Sequence, residues 1–206
     1  MPSAWLLSSA VIGYLLGALP FGYLVARAHG VDIFKAGSGN PGATNVKRVL
    51  GAKAGNTVFA LDALKGAVAA GWPLLPMLAL PEARFMGLVG VIAAVLGHSF
   101  SVFTKFKGGK GVATAAGGLV VLMPVCCLIG GGVWVATFFL TRYVSLGSIL
   151  GAVAVPAASW IRGNPLPLNI VATALGLFVI IRHRENIRRL LNGTENKFAK
   201  KPPAQG

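Results

Sequence analysis

The chain has 206 residues, 55% hydrophobic and only 12% charged, with a mean hydropathy of +0.72. A soluble domain of this size is roughly a quarter charged, so the composition excludes an ordinary soluble protein and places the chain in the membrane class. Nineteen Lys and Arg face five carboxylates, a net charge of +14. The cations lie between apolar runs and form no continuous basic segment, which argues against nucleic acid as a partner. The positive-inside bias of a polytopic protein and acidic substrates remain.

In chain order, the first apolar run covers 4–26. It follows an N-terminus without cations and is too long for a signal-peptide core, so it reads as a retained helix. Further apolar runs cover 54–80, 85–103, 112–140, 146–161 and 168–181. Most reach or approach the ~20 residues needed to span ~30 Å of hydrocarbon. The run over 112–140 reads either as one long tilted helix or as two short ones turned at Pro124 or at Gly130-Gly131-Gly132. Charge separates the two. Five Lys/Arg lie in 27–53, three in 105–110, one at Arg142 and seven from Arg182 onward. Only a double crossing over 112–140 puts all of these on one side.

The expectation is therefore an all-α polytopic membrane protein of about seven transmembrane helices, several of them short. It forms one domain over 1–206, with the N-terminus outside, the C-terminus inside and 196–206 a flexible cytoplasmic tail. Cys126 and Cys127 are adjacent within an apolar run and suit neither a disulfide nor a metal site.

Four polar stretches interrupt this apolar background, and the topology puts them on one face. The first runs from Gly37 through Ser38, Gly39, Asn40, Pro41, Gly42, Ala43, Thr44, Asn45, Val46 and Lys47 to Arg48. Its glycines allow backbone N–H groups to converge on an anion, and Arg48 offers a fork suited to phosphate. The second contains Gly97-His98-Ser99 and then Lys107-Gly108-Gly109-Lys110-Gly111, leading directly into an apolar helix. That places backbone donors, a helix N-terminus and a Lys charge together, as phosphate sites require, without the spacing of a Walker A loop. Phe100, Phe103 and Phe106 recur at intervals of three, which predicts a helix face. The third stretch, Arg142 to Ser148, offers Ser145 or Ser148 as a helix N-cap. The fourth, His183 to Glu195, follows the last apolar run; on a helix, His183, Asn186 and Leu190 would share a face.

These residues bind anions well and are poor in general bases. No His-x4-Asp pair, Gly-x-Ser-x-Gly elbow, zinc set or carboxylate pair is present. A transporter for an organic phosphate would suit the polytopic helices, but no inverted repeat is evident and the cations cluster at one face. A scaffold would not need Ser, Arg, Lys, His and Asn converging from four loops.

Together the four stretches resemble the acyl-phosphate:glycerol-3-phosphate acyltransferase family, bacterial membrane enzymes that make lysophosphatidic acid. The likeness runs from about Phe21 to Glu195. It rests on Gly-Ser-Gly-Asn-Pro-Gly-Ala-Thr-Asn-Val, Lys-Gly-Gly-Lys-Gly-Val-Ala-Thr and the His-Arg-x-Asn-Ile tail, in that order. The resemblance implies a seven-helix fold in the bacterial cytoplasmic membrane, with its site on the cytoplasmic face. It implies transfer of an acyl group from acyl phosphate to the 1-hydroxyl of sn-glycerol 3-phosphate, without acyl-CoA, cofactor or metal. Ser38 and the surrounding loop amides, with Gly37, Gly39, Asn40, Gly42, Thr44 and Asn45, would hold the donor phosphate. Arg48, Lys110, Ser145, His183 and Asn186 would orient glycerol 3-phosphate and the reacting groups, with Gly108, Gly109 and Gly111 shaping that site and Glu185 and Glu195 supporting it. The implied partners are membrane lipid and, transiently, the soluble enzyme that makes acyl phosphate. The proton acceptor is left open between His183 and the phosphate of glycerol 3-phosphate.

Overall fold

A computed structural model describes residues 2–80 and 82–198, and among these every regular element is helical. In chain order these are α1 (Pro2–Ala18), α2 (Phe21–Ala28), α3 (Ala43–Leu50), α4 (Ala52–Gly71), α5 (Ala83–Ser99), α6 (Val112–Leu122), α7 (Pro124–Thr141), α8 (Val144–Ile161), α9 (Leu166–Arg182) and α10 (Arg184–Leu191). Among the described residues, four stretches are long and apolar enough to cross a membrane: Ala4–Ala28, Ala83–Thr104, Pro124–Thr141 and Val144–Ile161. Counting the bent pair α9 and α10 as one gives a fifth. The expected seven goes beyond this count because α4 is diluted by Asn56, Asp62 and Lys65 and α6 has only 11 residues. At 1.5 Å per residue α6 reaches about half the hydrocarbon thickness.

The run over 112–140 breaks at Met123-Pro124, where proline occupies the first turn of α7 and its missing N–H costs nothing. The triple glycine stays helical. The start of α6 and the start of α8, three residues after α7 ends, line the same cavity. The two helices therefore go out and return, and Lys110 and Arg142 end on one face. The run over 54–80 stops at Gly71, because Pro73 and Pro76 permit only two short 3-10 turns, Trp72–Leu74 and Pro76–Leu78. The phenylalanine periodicity does not form a helix face. The Ser101 hydroxyl accepts from the Phe103 amide at 3.2 Å and its carbonyl from the Phe106 amide at 2.8 Å; Phe103 ends exposed on the short 3-10 turn Val102–Thr104, and Phe106 ends exposed in a left-handed conformation.

Lipid tails are as apolar as leucine, so close backbone packing matters more here than apolar burial. α4 and α6 touch along Gly66 and Gly117: a Cβ at Gly117 would overlap the Ala63 carbonyl oxygen, and one at Gly66 the Thr114 carbonyl oxygen. α1 packs on α5 and α7 on α8, and Val91, Val95, Leu119, Leu122 and Leu175 fill the core between α5, α6 and α9. Cys126 is buried with a free thiol that accepts from Asn164 Nδ2 at 3.3 Å. Asn196 and Phe198, in the expected tail, lie against α3 and α7, Lys197 Nζ lies 5.1 Å from the Tyr143 ring centroid, and 199–206 fall outside the described residues.

Candidate active site

The first polar stretch is shaped by its asparagines. Asn45, on α3 and only 2% exposed, donates through Nδ2 to the Ala36 carbonyl at 2.9 Å and accepts the Ser38 amide at 2.8 Å. Asn40 accepts the Gly42 amide at 2.9 Å, and the Gly39 amide goes to the Ala36 carbonyl at 3.0 Å. The amides of Ser38, Gly39 and Gly42 are thus consumed within the loop. Open donors include those of Ala43 and Thr44 in the first turn of α3, which has no intrahelical partner for them and no side-chain cap at Gly42. Of the loop amides expected to form the hole, those of Ser38, Gly39 and Gly42 are occupied, and the helix start supplies further donors.

The glycine loop before α6 is held from below. Arg182 Nη2 donates to the carbonyls of Gly108 and Gly109, at 3.3 and 3.0 Å. The Gly109 amide donates to the His98 carbonyl at 3.2 Å, and a Cβ at Gly109 would overlap the His98 ring. Gly108 and Gly109 support the loop from outside the cavity wall, while Lys110 and Gly111 line it. Lys110 Nζ donates to Asn186 Oδ1. Burial, and then the charge of Arg189, push the Lys110 ammonium down to about 8, against a smaller opposing pull from Glu195.

At the other end of the site, α9 ends and the chain turns by 57° at His183 into α10, whose charges keep it outside the apolar layer. His183 Nδ1 lies 2.8 Å from the Val179 carbonyl. A carbonyl only accepts, so Nδ1 carries the proton and Nε2 keeps its lone pair. Burial, then the nearby Lys110, lower the His183 pKa to about 4, so the ring is neutral at pH 7. Glu195 ties the rest together. Its Oε1 accepts from Ser145 Oγ and Asn186 Nδ2, both at 2.8 Å, and its Oε2 from Arg189 Nε at 2.7 Å. Burial disfavours its charge, but those donors outweigh burial and hold the carboxyl below the usual glutamate range. Ser145 is therefore not an N-cap; nor is Ser148, whose hydroxyl donates to the Val144 carbonyl at 2.9 Å and accepts from Trp134 Nε1 at 3.3 Å.

These side chains surround a polar cavity of about 150 Å³. Ser38, Asn40, Gly42, Thr44, Asn45, Arg48, Lys110, Gly111, Ser145, His183, Asn186 and Glu195 all line it. Gly37 and Gly39 shape the loop behind, and Glu185 is exposed with only a 3.9 Å pairing to Arg184. The cavity also has walls beyond the expected site residues: Asp62 and Trp134, which lie outside the four polar stretches, and His98 and Arg189 from the second and fourth. Asp62 is the most informative, because an ionisable pair inside an apolar run, Asp62 with Lys65, is by default a functional signal. The N-termini of α3, α6 and α8 converge on the cavity, each contributing open amides and a positive dipole end. A second, apolar cavity of about 380 Å³ lies between α6, α7, α8 and α9 and shares Phe59, Val112, Trp134 and Ser148 with the polar one.

Such an arrangement defines an integral membrane protein with an anion site at the polar end of its helices, opening into an apolar groove. The family profile described as glycerol-3-phosphate acyltransferase matches residues 7–193. Proteins of that name from Aquifex aeolicus and a Synechococcus strain are 43% and 45% identical to this chain, over 91% and 96% of it and 96% and 97% of their own lengths. The crystal structure of PlsY (YgiH), an integral membrane glycerol 3-phosphate acyltransferase, in its glycerol 3-phosphate form superposes with a TM-score of 0.88 at 42% identity, covering 94% of this chain and 96% of that one. Its lysophosphatidic acid form gives 0.85 at 42% identity, covering 94% and 95%. The chain belongs to the glycerol-3-phosphate acyltransferase family.

Proposed function

We propose that the acyl donor is acyl phosphate and that the chain passes its acyl group to the 1-hydroxyl of sn-glycerol 3-phosphate, releasing inorganic phosphate and 1-acyl-glycerol 3-phosphate. The observation that carries this reading is the wall shared by the polar cavity and the apolar groove. It suits a donor that is a phosphate at one end and a hydrocarbon chain at the other. The clustered cations on one face support a site on the cytoplasmic side of a bacterial inner membrane, with the N-terminus outside.

In this mechanism Ser38 and the first-turn amides of α3 take the donor phosphate. Arg48, Lys110, Ser145 and Asn186 hold glycerol 3-phosphate with its hydroxyl against the acyl carbonyl, and orientation of this kind supplies up to ~7–11 kcal/mol. A single donor aimed at the developing oxyanion adds ~3–4 kcal/mol. The hydroxyl oxygen forms the ester bond as the carbonyl–phosphate bond breaks, in one displacement with no acyl-enzyme. His183 Nε2 accepts the hydroxyl hydrogen bond. With a pKa of about 4 it is a weaker base than a phosphate dianion, whose second pKa is near ~6, so the substrate phosphate takes the proton.

Purified protein in lipid, given palmitoyl phosphate and glycerol 3-phosphate, is expected to release phosphate and lysophosphatidate one to one. No burst of phosphate should precede addition of the acceptor, and palmitoyl-CoA should not substitute. Turnover with acyl-CoA alone, or none with either donor in folded protein, would overturn the reading. The pH profile is a separate expectation. Lys110 loses its proton near pH 8 in the free enzyme, so kcat/KM should fall above that pH, and Lys110→Arg should remove the alkaline limb. His183 stays neutral until about pH 4, so the acid limb should follow the substrate phosphate and persist in His183→Asn. An acid limb that His183→Asn abolishes would make His183 the base.

A further inference from the structure

The segment after α10 returns to the site. Gly193, at φ +69°, turns the chain, and the Thr194 amide bonds the Arg189 carbonyl at 2.8 Å. Two residues after this turn point, Glu195 enters the polar network. Asn196 then presents its carbonyl to Arg48 Nη2 at 3.1 Å. Phe198 is pinned at both backbone groups: its amide donates to the Arg142 carbonyl at 3.1 Å, and its carbonyl accepts from Arg142 Nε at 3.3 Å. Its ring meets Phe138 edge-on, centroids 6.1 Å apart, and the Arg48 guanidinium carbon lies 5.0 Å from the ring centroid. The family profile stops at residue 193, so these contacts belong to the part of the chain beyond it.

Arg48 needs such contacts. It sits on the outer side of an eight-residue helix, is exposed, and lines the cavity. A free arginine there samples many rotamers, and ordering it on binding a phosphate costs entropy. A guanidinium hydrogen-bonds through its edges and stacks through its faces. The Phe198 ring, with the guanidinium carbon 5.0 Å from its centroid, attracts the cation without accepting a hydrogen bond from it. The Asn196 carbonyl takes one edge donor, and the remaining donors stay available to a phosphate.

We propose that Phe198 is a positioning residue, which with the Asn196 carbonyl holds the Arg48 guanidinium in its phosphate-binding orientation at the cavity wall. This rests on the reading of Arg48 as a ligand for glycerol 3-phosphate given above, and a double-mutant cycle in the lipid-reconstituted protein keeps the two apart. Phe198→Ala is expected to raise KM for glycerol 3-phosphate about five-fold, the scale of a partly exposed cation–π contact, with kcat changed less than two-fold. Phe198→Leu keeps an apolar contact to Phe138 but offers no ring face, and should give the same rise; Phe198→Tyr restores the ring and should restore KM. In an Arg48→Gln background Phe198→Ala should add nothing further. Effects of the two changes that multiply, a kcat loss as large as the KM rise, or a normal KM in both Phe198→Ala and Phe198→Leu would overturn the positioning role. An unchanged KM in Arg48→Gln alone would instead overturn the assignment of Arg48.

Discussion

Asp62→Asn is expected to destabilise the protein by about 3–5 kcal/mol, the usual consequence of leaving one charge of a buried pair behind. The Asp62 and Lys65 side chains are 4% and 3% exposed and 2.7 Å apart. Lys65 also donates to the Leu19 carbonyl at 2.9 Å and lies 5.5 Å from the Phe21 ring, and Asp62 faces His98 Nδ1 at 3.4 Å. Asparagine preserves the shape and removes the only negative charge in that cluster, stranding the ammonium among neutral partners. The paired replacement Asp62→Asn with Lys65→Met removes both charges, and substitutions of that kind are often neutral. The double variant should therefore regain most of the lost stability. Thermal midpoints in one lipid preparation check both statements. A single variant as stable as the parent, or a double variant no better than the single, would show that the pair is not what holds α1, α4 and α5 together there.

The legible part of the site was the part that had to look polar in an apolar background. Gly37 to Arg48, Gly108 to Gly111 and His183 to Asn186 could be placed on one face from the positive-inside rule alone, because a single choice at 112–140 fixed the sidedness of the rest. Pro124 against the triple glycine was not decidable from composition; the outcome follows from proline favouring the first turn of a helix, while Gly130 packs against Val155 inside the bundle. The spacing of Phe100, Phe103 and Phe106 misled because seven residues are too few to establish a period, and Ser101 ends the helix by bonding both ways.

Contacts distant in sequence were out of reach for a different reason. Ser145 and Glu195 are 50 positions apart, Lys110 and Asn186 are 76 apart, and neither pairing leaves a periodic trace. The amides of the first stretch could be counted as donors, but only the fold shows that Asn40 and Asn45 consume them. Asp62 with Lys65 is the intermediate case. The pair was visible at i and i+3 within an apolar run, and its place against His98 of α5 depends on how tightly Gly87 and Gly90 let α5 close on α4.

Glu195→Gln is expected to lower kcat/KM roughly 100-fold, because no orientation of the new amide satisfies its neighbours. The carboxylate accepts three hydrogen bonds, from Ser145, Asn186 and Arg189. By fixing Asn186 Nδ2 toward itself it turns Asn186 Oδ1 toward Lys110. If the glutamine oxygen faces Ser145 and Asn186, its NH2 opposes the Arg189 Nε–H. If it is reversed, its NH2 opposes Asn186, which must then flip and present its own NH2 to the Lys110 ammonium. Each donor–donor conflict leaves a buried group unpaired, at about 1–3 kcal/mol apiece, and the second arrangement also frees the cation proposed to hold the acceptor. Arg189→Gln in the same chain removes the first conflict, since two glutamines can pair, and should recover about ten-fold of the loss. Steady-state kinetics on the two variants decide the matter. Full activity in Glu195→Gln would mean that Lys110 is held by something other than the chain from Glu195 through Asn186, and no recovery in the double variant would mean that the loss does not run through Arg189.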